Sequence, residues 1–268
     1  MEVKTEMLKK IARMLFGDTE AEARALYLDL MAKGLTNTIY GDPNQSPWEK
    51  PVYNPALRDV GRDWPVMAHS MIGMQRMNNL QQLCSKAMRE GVPGDFIETG
   101  IWRGGACIMM RAVLKAYGDV SRKVYCADSF SGLPKPDPGR YPRDEGDRHH
   151  EFEQLAISAE EVKRNFESYG LMDDQVVFVE GFFEDTLPKL RAQRFAVIRL
   201  DGDMYSSTMQ ALEALYDKLS PGGFAIIDDY GAIPACRSAV EDYRRDHKID
   251  TPLEKIDWTG VWWQKPRV

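Results

Sequence analysis

The stretch FIETGIWRGGACIMMRAVLKAYG, residues 96–118, reads as a short β-strand, a glycine-bearing turn and an amphipathic helix. The strand ends at Glu98–Thr99, the helix begins near Ala106, and Gly100, Gly104 and Gly105 lie between them. Glycines at such a turn let the backbone pass close to a ligand with no Cβ in the way. Open α/β sheets bind their ligands at the carboxyl ends of strands. The spacing departs from the dinucleotide fingerprint, because Trp102 stands where G-x-G-x-x-G needs its second glycine. No Gly-Lys-Ser/Thr follows, so a phosphate loop is excluded as well. The plainer alternative is a strand-to-helix turn that needs only flexibility.

Downstream the same alternation continues. Apolar runs at Phe96–Glu98, Val124–Ala127, Val176–Val179, Phe195–Leu200 and Phe224–Ile227 are separated by helix-like segments at Ala106–Tyr117, Ala159–Tyr169, Ser206–Leu219 and Pro234–Arg245. Strands alternating with 10–15-residue helices predict parallel pairing through right-handed crossovers, hence a doubly wound α/β sheet. Leu253–Ile256 and Val261–Gln264 around Asp257–Gly260 predict a closing β-hairpin. Upstream the texture is mainly helical: Leu26, Leu28, Leu30, Met31 and Leu35 recur at helical spacing, and Ala68–Arg89 repeats the pattern. Between them Asp42–Trp64, with Pro43, Pro47, Pro51 and Pro55, reads as an irregular cap segment. The expected division is a helical extension over residues 1–90 and a sheet domain over 91–268, with a polar lid loop over 133–155. That loop is longer than ordinary connections, as ligand-covering loops are.

The 268 residues are 43% hydrophobic and 28% charged, which suits one elaborated globular α/β domain, or two small domains at most. Four scattered cysteines (Cys84, Cys107, Cys126, Cys236) without a CxxC pair exclude a disulfide scaffold and a cysteine-rich zinc module, and suit a reducing cytoplasmic compartment. A net charge of −6 is the wrong sign for a nucleic-acid-backbone binder. No apolar run reaches the ~18–20 residues of a membrane span. Met1–Phe16 alternates lysines with apolar residues and lacks the apolar core of a signal peptide.

The strongest chemical signal is acidic. FAVIRLDGDMYSST places Asp201 and Asp203 after the fourth strand, and GGFAIIDDYG places Asp228 and Asp229 after the fifth. In a doubly wound sheet both pairs emerge at one edge. Four converging carboxylates are costly unless a cation neutralises them or their pKa values rise. An all-oxygen donor set suits a hard ion such as Mg²⁺ rather than zinc. The simpler assignment, that Asp203 caps the helix near Ser206 and Asp229 caps a turn, accounts for only part of the cluster. Asp128 in VYCADSF, at the end of the second strand, can accept hydrogen bonds from ribose hydroxyls or serve as a turn residue. Glu98 beside the glycine loop is either structural or a ligand-holding carboxylate. His149 and His150 in the long loop read as solvated residues or as a general base. His69 reads as a core or capping histidine. Met67, Met71, Met74 and Met77 read as core stripe, and Trp258, Trp262 and Trp263 as packing around the hairpin.

Taken together, FIETGIWRGGACI, ADSFSGLPKPDP, RLDGDMYSSTM and SPGGFAIIDDY, with the upstream AHSMIGMQRMNNLQ, resemble the macrocin O-methyltransferase family. The resemblance runs from about Leu26 to the carboxyl terminus. It implies a Rossmann-like class I methyltransferase fold, S-adenosylmethionine and Mg²⁺ as cofactors, and a sugar hydroxyl of a macrolide or aminocoumarin antibiotic as acceptor. GDRHHEFEQLAIS and EKIDWTGVWW are closer to the aminocoumarin-sugar branch. By this resemblance Glu98, Gly100, Ala106, Asp128, Ser129, Gly181, Phe182 and Ser70 approach the cofactor. Asp201, Asp228 and Asp229 match metal ligands, and Asp203 matches a general base. The family pattern has threonine where Ser70 stands, a departure that keeps the hydroxyl. Homo-oligomerisation is also implied. Competing expectations are an NAD(P)-dependent sugar oxidoreductase, opposed by the missing second glycine and absent Tyr-x-x-x-Lys pair; a non-catalytic ligand-binding protein on this fold; and a magnesium catechol-type methyltransferase.

Overall fold

The computed structural model describes residues 19–190 and 193–267; the reading of Met1–Phe16 lies outside them. Seven strands form one sheet: β1 (Asp95–Thr99), β2 (Val124–Asp128), β3 (Val176–Glu180), β4 (Phe195–Leu200), β5 (Leu219–Ile227), β6 (Glu254–Lys255) and β7 (Val261–Gln264). Their order is β3-β2-β1-β4-β5-β7-β6, parallel from β3 to β5 and antiparallel at β7 and β6. The strand order reverses between β1 and β4, the place where sheets of this kind open a crevice at their carboxyl edge.

The central strands are buried on both faces, so their sequences read as unbroken apolar runs instead of alternating ones. The period of two is still visible in where each residue goes. Phe96, Val124, Val197 and Phe224 join one core, while their successors Ile97, Tyr125, Ile198 and Ala225 join the other. The first core is covered by α1 (Thr19–Leu35), α3 (Gly73–Arg89), α4 (Gly105–Ala116) and α5 (Ala159–Ser168); the second by α7 (Tyr205–Leu215) and α8 (Pro234–Asp246). Among the described residues there are two further short α-helices, α2 (Pro55–Asp59) and α6 (Phe183–Thr186). All four cysteines are buried and none forms a disulfide. Among the described residues no helix is long and apolar enough to cross a membrane.

Three expectations change. The helix expected over Ala68–Arg89 begins only at Gly73. Met67 therefore lies in an irregular stretch ahead of the helix, 70% exposed, while Met77 at the other end of the proposed stripe is fully buried. Asp42–Trp64 is irregular but internally ordered around Arg58. That guanidinium, fully buried, donates to both carboxylate oxygens of Asp63 (2.8 and 3.0 Å), to Asp42 Oδ1 (2.8 Å) and to the carbonyls of Thr36 and Asp42. Proline cannot supply backbone donors, so a charged side chain does the crosslinking that a ladder would otherwise do. Finally, Trp258 leaves the hairpin core: its indole donates to the Val60 carbonyl, whereas Trp263 is buried behind the sheet.

Candidate active site at the carboxyl edge of the sheet

The loops after β1, β2, β4 and β5 surround a cavity of about 500 Å³. Its roof comes from the 133–155 loop and the segment around Trp48 and Trp64. Of the residues expected to approach a cofactor, Glu98, Gly100, Ala106, Asp128, Ser129, Phe182 and Ser70 line it. Gly181 does not; its N–H donates to the Asp128 carbonyl (2.9 Å) and so sets where Phe182 emerges. His69 also lines the cavity, with Nδ1 bonded to the Tyr169 hydroxyl at 2.9 Å.

Two glycines are dictated by crowding. A Cβ on Gly100, whose φ is +79°, would meet the Asp201 carbonyl oxygen at 1.6 Å, so no other residue fits where β1 and β4 leave the sheet together. A Cβ on Gly105 would meet the His69 carbonyl at 2.4 Å and Ser70 Cβ at 2.6 Å, and the Gly105 N–H donates to that same carbonyl. The segment ahead of α3 is thereby stitched to the start of α4. At the end of β2, Asp128 accepts from the N–H groups of Ile101 and Phe130, both at 2.8 Å. Burial nevertheless pushes its carboxyl above the ordinary value.

The four aspartates converge as expected: Asp201, Asp203, Asp228 and Asp229 all line the same cavity. Asp203 takes a left-handed conformation (φ 55°), uncommon for a non-glycine residue, and its N–H donates to Asp229 Oδ2 at 3.3 Å. It does not cap α7. Asp144, from the 133–155 loop, does so instead, accepting from Tyr205 N–H (2.7 Å) and Ser206 N–H (3.0 Å). Nor does the Asp229 side chain cap a turn; its backbone carbonyl accepts from Ala232 and Ile233. Both acids are thus left to the cavity.

Two buried arginines, missed by the sequence reading, hold the cluster. Arg199 on β4 pairs with Glu98, Asp228 and Asp201, the last at 2.7 Å. Arg76 on α3 pairs with Asp228 and with Asp257 at 3.1 Å. The signal was present in FAVIRL, where an arginine interrupts a strand otherwise apolar throughout. Glu98 therefore faces inward onto Arg199 and the Cys107 thiol. Acid still exceeds base, with Glu98, Asp201, Asp203, Asp228, Asp229 and Asp257 against Arg76 and Arg199. Burial, then the neighbouring Asp228, pushes Asp201 up to about 8. Burial and the facing acids push Asp229 up strongly, and burial raises Asp203.

Such crowding is what a cation would relieve. Asp201, Asp228 and Asp229 each offer one oxygen, all within 4.8 Å of one another. Hard oxygen donors of like charge fit Mg²⁺. Asp201, Asp228 and Asp229 are the residues that would hold it.

Known proteins match this chain closely. A family model described as macrocin O-methyltransferase (TylF) matches residues 24–265. The chain is 53% identical over 250 residues to the 8-demethyl-8-(2,3-dimethoxy-alpha-L-rhamnosyl)-tetracenomycin-C 4'-O-methyltransferase of Streptomyces olivaceus, covering 91% of this chain and 94% of that protein. It is 46% identical over 250 residues to the demethyldecarbamoylnovobiocin O-methyltransferase of Streptomyces niveus, with the same coverage of 91% and 94%. The solved structure of the O-methyltransferase NovP superposes with a TM-score of 0.88 at 46% identity, over 91% of this chain and 100% of that one.

Proposed function

Because the chain belongs to the macrocin O-methyltransferase family, we propose that it transfers the methyl group of S-adenosylmethionine to a sugar hydroxyl of a glycosylated natural product, with Mg²⁺ at the acidic cluster. One observation carries the reading. A single cavity joins the glycine loop and Asp128, suited to the nucleoside end of the donor, with Asp201, Asp203, Asp228 and Asp229, suited to an oxygen nucleophile.

In this reading Asp128 and Ser129 take the ribose, while Gly100 and Ala106 let the donor lie against the backbone. Gly181 aims Phe182, and Ser70 and Glu98 close the methionine side. A neutral alcohol is a poor nucleophile at neutral pH. Bound Mg²⁺ would supply a Lewis acid that lowers the pKa of a coordinated hydroxyl. Asp203 takes the hydroxyl proton. Arg76 and Arg199 keep Asp228 fixed, so that the acids present one arrangement. The fold chiefly supplies proximity, since a sulfonium methyl is already electrophilic.

The relatives' names support a glycosylated acceptor, one specifying a rhamnosyl tetracenomycin. Their identities, 53% and 46%, do not single out the aminocoumarin branch. Calorimetric titration with S-adenosylmethionine, with and without Mg²⁺, followed by transfer of labelled methyl to such glycosides, tests the reading. Mg²⁺-dependent transfer to a sugar oxygen is expected. Donor binding absent under both conditions would refute it.

A further inference from the structure

Trp102 stands where the dinucleotide fingerprint needs a glycine, and the mechanism above gives it no task. Trp102 and Arg103 are the central residues of a turn closed by the Gly104 N–H onto the Ile101 carbonyl at 2.8 Å. The Trp102 φ is +47°, a left-handed conformation that is costly for a bulky residue and persists only where its surroundings enforce it. The turn belongs to the donor side of the cavity. Trp102 lines that cavity, and the residue before it, Ile101, donates its N–H to the Asp128 carboxylate at 2.8 Å.

Both side chains leave the turn for the roof. Trp102 Nε1 donates to the Gln154 carbonyl at 2.8 Å, in the 133–155 loop. The Arg103 guanidinium lies over the Trp102 ring, 4.3 Å from its centroid. Its Nη1 donates to the carbonyls of Val66 (2.7 Å), Pro65 and Ala68 (both 3.1 Å). Each anchor falls within two positions of a roof aromatic. Gln154 follows Phe152 by two, Pro65 follows Trp64 by one, and Phe152 packs edge-on to Trp64 at 5.5 Å. Trp48 joins the same cluster, 4.6 Å from Trp64. One short turn therefore carries the backbone on which a donor would lie and the bonds that hold both roof halves. A crosslink serving stability alone would be cheaper from an unstrained position.

We propose that Trp102 and Arg103 are positioning residues that couple the two substrates: the donor, lying against the turn, holds Trp102 in its left-handed conformation, and the two side chains then hold both roof halves over the acceptor. This rests on the methyltransferase reading. A glycine at this position of a dinucleotide site lets the backbone approach a pyrophosphate. A sulfonium donor has no phosphate, so the position is free to carry a side chain. A donor that contacts the turn in this conformation stabilises it, and by reciprocity a seated acceptor raises donor affinity by the same factor.

Hydrogen exchange read by mass spectrometry on the full chain tests this, with S-adenosylmethionine as the probe. Saturating donor should slow exchange about tenfold in wild-type peptides covering 62–68 and 150–156. W102F keeps a ring but loses the indole N–H, and should lose the slowing at 150–156. R103Q should lose it at 62–68. Donor affinity by calorimetry should stay within about threefold in both, well inside the ordinary range of coupling. A purely structural crosslink would change exchange by the same factor with and without donor, leaving the donor-dependent slowing intact. That result overturns the proposal, as does a wild type that binds donor with no change in its roof. Should one variant fail to fold by circular dichroism, the other and the wild type still decide. The exchange arm needs no acceptor. With 8-demethyl-8-(2,3-dimethoxy-alpha-L-rhamnosyl)-tetracenomycin C, the acceptor named by the Streptomyces olivaceus relative, acceptor KM should rise about tenfold in each variant, with kcat changed far less. Acceptor KM values equal to wild type overturn the inference while the methyltransferase reading stands. A wild type that binds no donor removes that reading itself.

Discussion

Two buried arginine–aspartate networks among the described residues are built to opposite ends. Around Arg58 the accounting closes: Nε, Nη1 and Nη2 each find an acceptor, Asp63 takes two hydrogen bonds, and the second oxygen of Asp42 accepts from Met67 N–H at 2.6 Å. Around Arg76 and Arg199 it stays open, because six carboxylates share two guanidiniums and the surplus faces a cavity. A closed network crosslinks; an open one keeps charge available. Arginine buried with aspartate is in itself neither structural nor functional, and the distinction lies in what remains unsatisfied.

Breaking the closed network should give the larger effect on the fold. Arg58→Met leaves Asp42 and Asp63 buried without a counter-charge, which costs about 3–5 kcal/mol of stability. Urea unfolding measures it, and methyl transfer per folded molecule should survive well below the new midpoint. A loss under about 1 kcal/mol would mean that the network is dispensable. In the open network, Asp203→Asn should do the reverse, lowering kcat by at least about 10²-fold with donor affinity and melting temperature nearly unchanged. Near wild-type turnover would remove Asp203 from the role of base.

The smallest expected effect sits outside both, in the 133–155 loop. Burial raises Asp147, but the hydrogen bonds from His149 outweigh it and hold the carboxyl below its ordinary value. Its stabilisation is present above about pH 3.9 and is lost as pH falls through the lowered pKa. His149 is raised, so its contribution is full below about pH 6.5 and is lost as pH rises through the raised value. The difference in unfolding free energy between wild type and D147N, measured by urea unfolding, should therefore peak between about pH 4 and 6.5, at under about 1 kcal/mol for a partly solvated pair. A difference flat from pH 3 to 9 would show that the pair is not ionic.

What the sequence revealed follows from how local each feature is. β4 was legible to the residue because a central parallel strand is a continuous apolar run, and DGD and DD were legible because strand ends in this topology share an edge. The arginines that hold those acids were not, since Arg76 and Asp228 lie 152 positions apart and Arg199 and Glu98 lie 101 apart. Nothing local marks such a pairing. Asp203 and Asp144 show the same limit: the residue with the right spacing to cap α7 leaves the task to one 61 positions upstream of the capped Tyr205. Met67 failed for another reason, because helical periodicity was extended past a glycine whose left-handed φ of 73° sets the true start of α3.

The roof of the cavity has a consequence for anyone recombining these enzymes. One half comes from Asp42–Trp64 and the other from residues 133–155, and they meet as a wedge of Trp48, Trp64 and Phe152. Each half has its own foundation, Arg58 beneath the first and the α7 cap beneath the second. A chimera that imports only one half inherits a shape cut for a different counterpart. Transplanting this roof between relatives therefore calls for moving both segments as a matched set, with their anchoring Arg58, Asp63 and Asp144 included.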